Sequence, residues 1–95
     1  MPRRIAVSKR ARADLVRLRK FIAAESERSA AFAIDRLLKG VRLLRDMPEL
    51  GVQVRPPFRH LILPHGTSGY VVRYRVTAEE IVITRIWHGR ENRPR

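Results

Sequence analysis

No cysteine occurs in the 95 residues, which removes disulfides, thiolate catalysis and cysteine-based zinc sites at once. The histidines are three and scattered, His60, His65 and His88, without the spacing of metal ligands, so no metal is expected. Neither paired carboxylates, nor a glycine-rich phosphate loop, nor a Ser/His/Asp set is visible, and no cofactor is expected. No hydrophobic run approaches a membrane span, and MPRRIAVSKR carries charge without the apolar segment of a signal peptide; a cytoplasmic protein without membrane association is expected. The length suits one domain over 1–95 with a two-layer core, too small for a separate cofactor-binding domain.

Acidic residues are also few: nine, against 21 lysines and arginines, a formal charge of +12. Of the 21, only Lys9, Lys20 and Lys39 are lysines. Such a density of one sign favours a polyanionic partner, either a nucleic acid or an acidic protein.

In chain order, Arg4–Ser8 reads as a short strand, and Ser8 as the N-cap of a helix with Ala11, Leu15, Leu18 and Ile22 on its apolar stripe. Lys9, Arg10 and Arg12 crowd its first turn, where the helix dipole disfavours exposed cations by about 0.3–1 kcal/mol each. This does not serve the helix; it would suit an anionic partner, and the alternative is surface charge that the fold tolerates. After the polar break Glu25–Ser29, a second helix runs to Pro48 with Ala30, Ala33, Leu37, Val41 and Leu44 inside, widened by Ile34 and Leu38. Gly40 in its interior predicts close approach of the first helix. Gly51–Pro57 reads as an extended connector, too proline-rich for a central strand. Phe58–Leu63 reads as a strand, joined by the loop Pro64–Gly69 to the next.

The last two apolar runs, Tyr70–Val76 and Ile81–Trp87, flank the polar break Thr77–Glu80 and read as a β-hairpin. Tyr70, Val72, Tyr74 and Val76 share one face, Arg73 and Arg75 the other. A two-residue turn at Ala78–Glu79 would set Tyr70 opposite Trp87 and Tyr74 opposite Ile83, with Arg85 as an awkward member of the core face; a three-residue loop would shift this by one. Trp87 and Tyr70 are expected in the core. The fold class is α+β: strand, antiparallel helical hairpin, then a three-stranded antiparallel meander (β-α-α-β-β-β), the helices packed on one face of the sheet and the other face open. Candidate site groups are Arg73 and Arg75 on the open face, His88 and Arg90 after the last strand, and Arg55, Arg59, His60 and His65 before it. Cations beside a histidine suit metal-free phosphodiester cleavage, with arginine stabilising the phosphorane and histidine moving a proton.

SKRARADLVRLRKFIA, MPELG, SGYVVRYRV and above all IVITRIWHGREN resemble, in order and spacing, the RelE/ParE superfamily of bacterial type II toxins, over nearly the whole chain. The HGR ending is similar to the ParE-like branch. The resemblance implies a basic toxin neutralised by an acidic, partly disordered antitoxin, docked here on Leu15, Leu18, Ile22, Leu37 and Leu38 of the helices. RelE-like members cleave mRNA on the ribosome, whereas ParE-like members poison DNA gyrase and have no known hydrolytic centre. An important RelE arginine follows the tyrosine of the SGY strand, where this chain has Val71; the second, in the tail, has a counterpart in Arg90. The ParE-like expectation is therefore a gyrase inhibitor without catalytic residues. Arg59, Arg73, Arg75, Trp87, His88, Arg90 and Arg93 would contact its target or partner. The nuclease alternative would use Arg73, Arg75, His88 and Arg90, and a third possibility is a non-toxic partner-binding member of the fold.

Overall fold

The computed structural model describes residues 3–65 and 68–91. In chain order these form β1 (Arg4–Val7), α1 (Lys9–Ala23), α2 (Glu27–Leu43), β2 (Val52–Gln53), β3 (Phe58–His65), β4 (Ser68–Val76) and β5 (Glu80–His88). One five-stranded sheet has the order β1-β5-β4-β3-β2. Three pairings are antiparallel, and the first strand lies parallel to the last, with Arg4 opposite Glu80 and Val7 opposite Ile83. The α+β expectation holds, with two strands joined to the meander at its edges.

Local chemistry explains the element ends. Ser8 has extended backbone and its Oγ accepts from the Ala11 N–H, capping α1. Ser26 caps α2 in the same way through the Ser29 N–H. The second helix stops at Leu43, before the expected Pro48, because the chain tightens: the amides of Leu44, Arg45 and Asp46 each bond the carbonyl three residues back. The expected connector 51–57 contributes the two-residue edge strand β2. The expected loop at 64–69 is mostly ladder, with Pro64 opposite Gly69 and His65 opposite Ser68.

The core lies between the helices and one sheet face. Ala11, Leu18, Ala33, Leu37, Val41 and Leu44 meet Leu61, Tyr70, Val72, Tyr74, Ile81, Ile83 and Ile86. Gly40 does not face α1. A Cβ there would lie 2.8 Å from a Leu63 methyl, so this glycine lets α2 settle on β3. Tyr74, wholly buried, donates its hydroxyl to the Pro48 carbonyl and accepts from the Gly51 N–H, both at 2.8 Å, which pins the 48–51 turn to the sheet.

One irregularity decides which residues face out. Val76 opposes Ile81 and Tyr74 opposes Ile83, as the two-residue turn predicts, but Arg73 opposes Arg85. Thr84 is the extra residue of a β-bulge, its hydroxyl bonded to the Arg73 carbonyl at 3.1 Å. Beyond it the register moves by one, so Tyr70 opposes His88 and Val71 opposes Trp87. The expected Tyr70–Trp87 pair is absent: His88 turns inward and Trp87 outward.

Candidate functional site

On the face away from the helices, β3, β4 and β5 bring His60, Arg73 and Trp87 together. Arg73 Nε lies 3.1 Å from His60 Nε2, and its guanidinium carbon stands 5.1 Å from the centre of the Trp87 ring. His60 meets the Trp87 edge at 5.2 Å in a T-shaped arrangement. Trp87 is thus buried, at 4% exposure, beneath a histidine and an arginine and not in the helix-covered core as expected. Tyr70 does lie in that core.

Beside this cluster is an open depression of about 520 Å³, whose lining includes Lys9, Arg10, Arg55, Arg73, Arg75 and Arg85 together with Phe58. Among the described residues no carboxylate lines it.

Behind the depression a network fastens α1 to the part of β5 that β1 leaves unpaired. Asp14, 2% exposed, accepts from Arg85 Nε at 2.9 Å, from Arg85 Nη2 at 3.2 Å, from the Ile86 N–H at 2.8 Å, and from Arg17. Burial by itself would push the Asp14 carboxyl up, but the bonds from Arg85, Ile86 and Arg17 outweigh it and hold the group below the usual carboxylate range. Arg17 continues to the Ile86 carbonyl at 3.0 Å and to Glu91, with Nε at 2.9 Å and Nη2 at 3.3 Å. Glu91 also accepts from the His88 N–H at 2.9 Å. Desolvation again acts upward on Glu91, and the Arg17 and His88 bonds bring it net below its ordinary value. The Arg17 guanidinium is correspondingly pushed up, chiefly by Glu91.

The expected site residues therefore separate. Arg73 and Arg75 share the open face, and Arg73 meets Trp87. His88 lies on the opposite face, 5% exposed, with its ring 5.0 Å from Tyr70 and 5.7 Å from Phe21, and its Nδ1 accepts from the Arg90 N–H at 3.0 Å. Arg90 is exposed at the turn that His88 and Glu91 shape. Arg59 faces the helix side, where Nη1 donates to the Gly51 carbonyl at 2.8 Å, a bond that steadies the 48–51 turn. Arg93 lies outside the described residues. Of the helix positions, Leu18 and Leu37 are consumed by the core, Leu15 and Ile22 are half-buried against it, and Leu38 is exposed.

Sequence reasoning missed His60 as the partner of Arg73 and Asp14 as an organising group. Asp14 falls in phase with Ala11 and Leu18, at spacings of three and four, so an acid on an apolar stripe was a readable sign of a buried partner. Arg85, out of place among apolar neighbours, was that partner.

Comparison with known proteins covers the same stretch. The family model described as ParE toxin of type II toxin–antitoxin system, parDE, matches residues 5–93. Toxin RelE1 of Caulobacter vibrioides is 37% identical over 89 residues, covering 94% of this chain and 96% of that protein. Toxin RelE3 of the same organism is 35% identical over 89 residues, covering 94% and 97%. Among solved structures, a chain of the chromosomal ParDE TA system from P. aeruginosa superposes with a TM-score of 0.75 at 22% identity, over 90% of this chain and 95% of that one, a likeness of fold.

Proposed function

This chain belongs to the ParE toxin family of type II toxin–antitoxin systems, and we propose that it acts by binding DNA gyrase, without hydrolysing RNA. The observation that carries this reading is the position of His88. A nuclease built on Arg73, Arg75, His88 and Arg90 needs its proton carrier within hydrogen-bond reach of the substrate held by the arginines. His88 is on the helix side of the sheet, packed on Tyr70 and Phe21, with Nδ1 engaged by the chain itself. Val71 stands where the RelE pattern has an arginine. The role left to the tail is recognition: Arg90 presents positive charge from a turn braced by Glu91 and Arg17.

As a toxin of a type II system the chain has a cognate antitoxin. We take that partner to be acidic, docking on the exposed apolar positions of the helical hairpin, Leu38 with Phe21 and Phe32, and on the flanks of Leu15 and Ile22.

A second reading, mRNA cleavage on the ribosome, is favoured by the RelE names of the two relatives and by the His60–Arg73 pair on the open face, in which His60 would replace His88 as the acid–base group. A supercoiling assay separates the two: purified protein, gyrase, relaxed plasmid and ATP, with linear DNA scored after the enzyme is denatured. Blocked supercoiling or linear product that disappears on adding the antitoxin supports the gyrase reading. No effect at toxin excess, together with mRNA cleavage on translating ribosomes that is lost in His60→Ala, would replace it by the second.

A further inference from the structure

Three hydrogen bonds of the 88–91 turn converge on His88. Its backbone N–H donates to the Glu91 carboxylate at 2.9 Å, its carbonyl accepts from the Glu91 N–H at 2.9 Å, and its Nδ1 accepts from the Arg90 N–H at 3.0 Å. A side-chain acceptor that takes the N–H two residues along is the work ordinarily given to asparagine or aspartate in a turn. Neither of those acceptors is lost near neutrality. An imidazole nitrogen stops accepting once it binds a proton, which an ordinary histidine does at about pH 6.5. The contact seen here therefore requires the neutral ring with its hydrogen on Nε2. The charged and titratable groups packed about the turn are Arg17 of α1, Tyr70 of β4 and Glu91, with Arg36 of α2 acting on Tyr70. Arg17 and Glu91 answer each other's charge, and burial pushes the Tyr70 phenol up, away from neutrality. His88 is the member of this set that changes charge between about pH 5 and 8.

We propose that His88 is a positioning residue for Arg90: its neutral Nδ1 fixes the direction in which Arg90 leaves the sheet, and a proton on that nitrogen releases the turn, so that recognition of the target weakens in acid. The protonated ring would set an Nδ1–H against the Arg90 N–H, donor facing donor, in a site walled by Tyr70 and Phe21. The ring thus has two separable features, an aromatic body that packs and one nitrogen that holds the chain. The inference rests on the reading of Arg90 as the charge that meets gyrase, and it adds to that reading a control by protons.

Two substitutions in the full chain divide the nitrogen from the ring. His88→Phe keeps an aromatic body between Tyr70 and Phe21 and loses the acceptor; His88→Asn loses the ring and keeps an oxygen where Nδ1 stood. At about pH 8, His88→Phe is expected to inhibit supercoiling roughly 3- to 10-fold less well than the native toxin, the worth of about one hydrogen bond. His88→Asn is expected to restore most of that loss, although it should be the less stable of the two variants. The potency of the native toxin relative to His88→Asn should then fall about two- to threefold between about pH 8 and pH 6, where roughly three quarters of an ordinary imidazole is protonated. Taking the ratio cancels the pH response of gyrase. The reverse order, with His88→Phe potent and His88→Asn impaired, would make His88 a packing residue and overturn the proposal, as would a ratio that stays flat. A measurement on the free native chain needs neither variant nor gyrase. Proton–nitrogen correlation spectra should place the imidazole hydrogen on Nε2 at about pH 8, and the Arg90 amide resonance should move with the same midpoint as the His88 ring. A hydrogen on Nδ1, or an Arg90 amide indifferent to the titration of His88, would overturn the positioning role. If the native toxin leaves gyrase untouched, the gyrase reading fails by itself, and the Arg90 amide alone decides whether His88 holds the turn.

Discussion

Replacing Asp14 by alanine strips one carboxylate from four donors. Arg85 would remain largely buried without its counter-charge, the Ile86 N–H would lose its acceptor on the stretch of β5 that β1 leaves unpaired, and Arg17 would lose one of its three partners. Removing one side of a buried, hydrogen-bonded ion pair costs about 3–5 kcal/mol, a large share of the roughly 5–15 kcal/mol that holds a domain folded. At about 4–8 °C per kcal/mol for a chain of this size, the melting temperature should fall by at least about 12 °C. Asp14→Asn keeps an oxygen for Ile86 but not the charge for Arg85, and should cost about 1.5–3 kcal/mol. Urea titrations followed by the fluorescence of Trp87 measure both, with the denaturant slope expected to stay constant. The pH dependence adds a second check. Because the Asp14 and Glu91 carboxyls are held below their ordinary range in the fold, each contributes stability above its unfolded pKa of about 3.9 or 4.3. That contribution is lost as pH falls through the folded value. The gap between the native chain and Asp14→Asn should therefore be full near neutrality and narrow below about pH 4. An Asp14→Ala protein within about 1 kcal/mol of the native chain, or a gap that does not narrow in acid, would refute the account of Asp14 as the fastening between α1 and β5.

Tyr74→Phe deletes a buried hydroxyl with two partners and should destabilise by about 1–3 kcal/mol in the same titration, without altering the far-UV spectrum. Gly51→Ala should cost at least about 1–3 kcal/mol, since its Cβ would lie 2.6 Å from Tyr74 Cε1 and 2.9 Å from the His60 carbonyl. Gly40→Ala, by contrast, meets only the movable end of Leu63 and gains about 1 kcal/mol of helix propensity, so its stability should stay within about 1 kcal/mol of the native value. A double-mutant cycle on Arg17→Ala and Glu91→Ala should give a coupling of about 1 kcal/mol that shrinks with added salt, because Arg17 is half exposed; a coupling near zero at low salt would mean that the C-terminal turn is not braced by this pair.

Both helices, the serine cap of the first, the final hairpin and the division of β4 into an apolar and a cationic face were legible because each follows from local spacing. What escaped depends on partners distant in sequence. Nothing near Arg4–Val7 announces that it lies parallel to β5, and Gly40 reads the same whether α1 or β3 approaches it. The bulge was hidden because Thr84 and Arg85 are ordinary strand residues; one unannounced extra residue then exchanged the facings of Trp87 and His88. The candidate site suffered most from that exchange. Arg73 and Arg75 were placed correctly by alternation, whereas His88 was grouped with them and His60, directly opposite on the neighbouring strand, was not recognised as the partner of Arg73. Arg59 shows the same limit, since its place on the helix side depends on pairing with Tyr74.

The pairing of β1 with β5 also has a consequence in time. Of the five strands, the earliest to leave the ribosome has the latest as its neighbour, and Asp14 must wait for Arg85 and Ile86. The helical hairpin closes over a short stretch and can fold while translation continues; the sheet needs contacts spanning most of the chain, which form late. Lys9 and Arg10 are synthesised early, yet they face no depression until Arg73, Arg75 and Arg85 have emerged to meet them. The cationic depression is therefore complete only after the last of the five strands has been made.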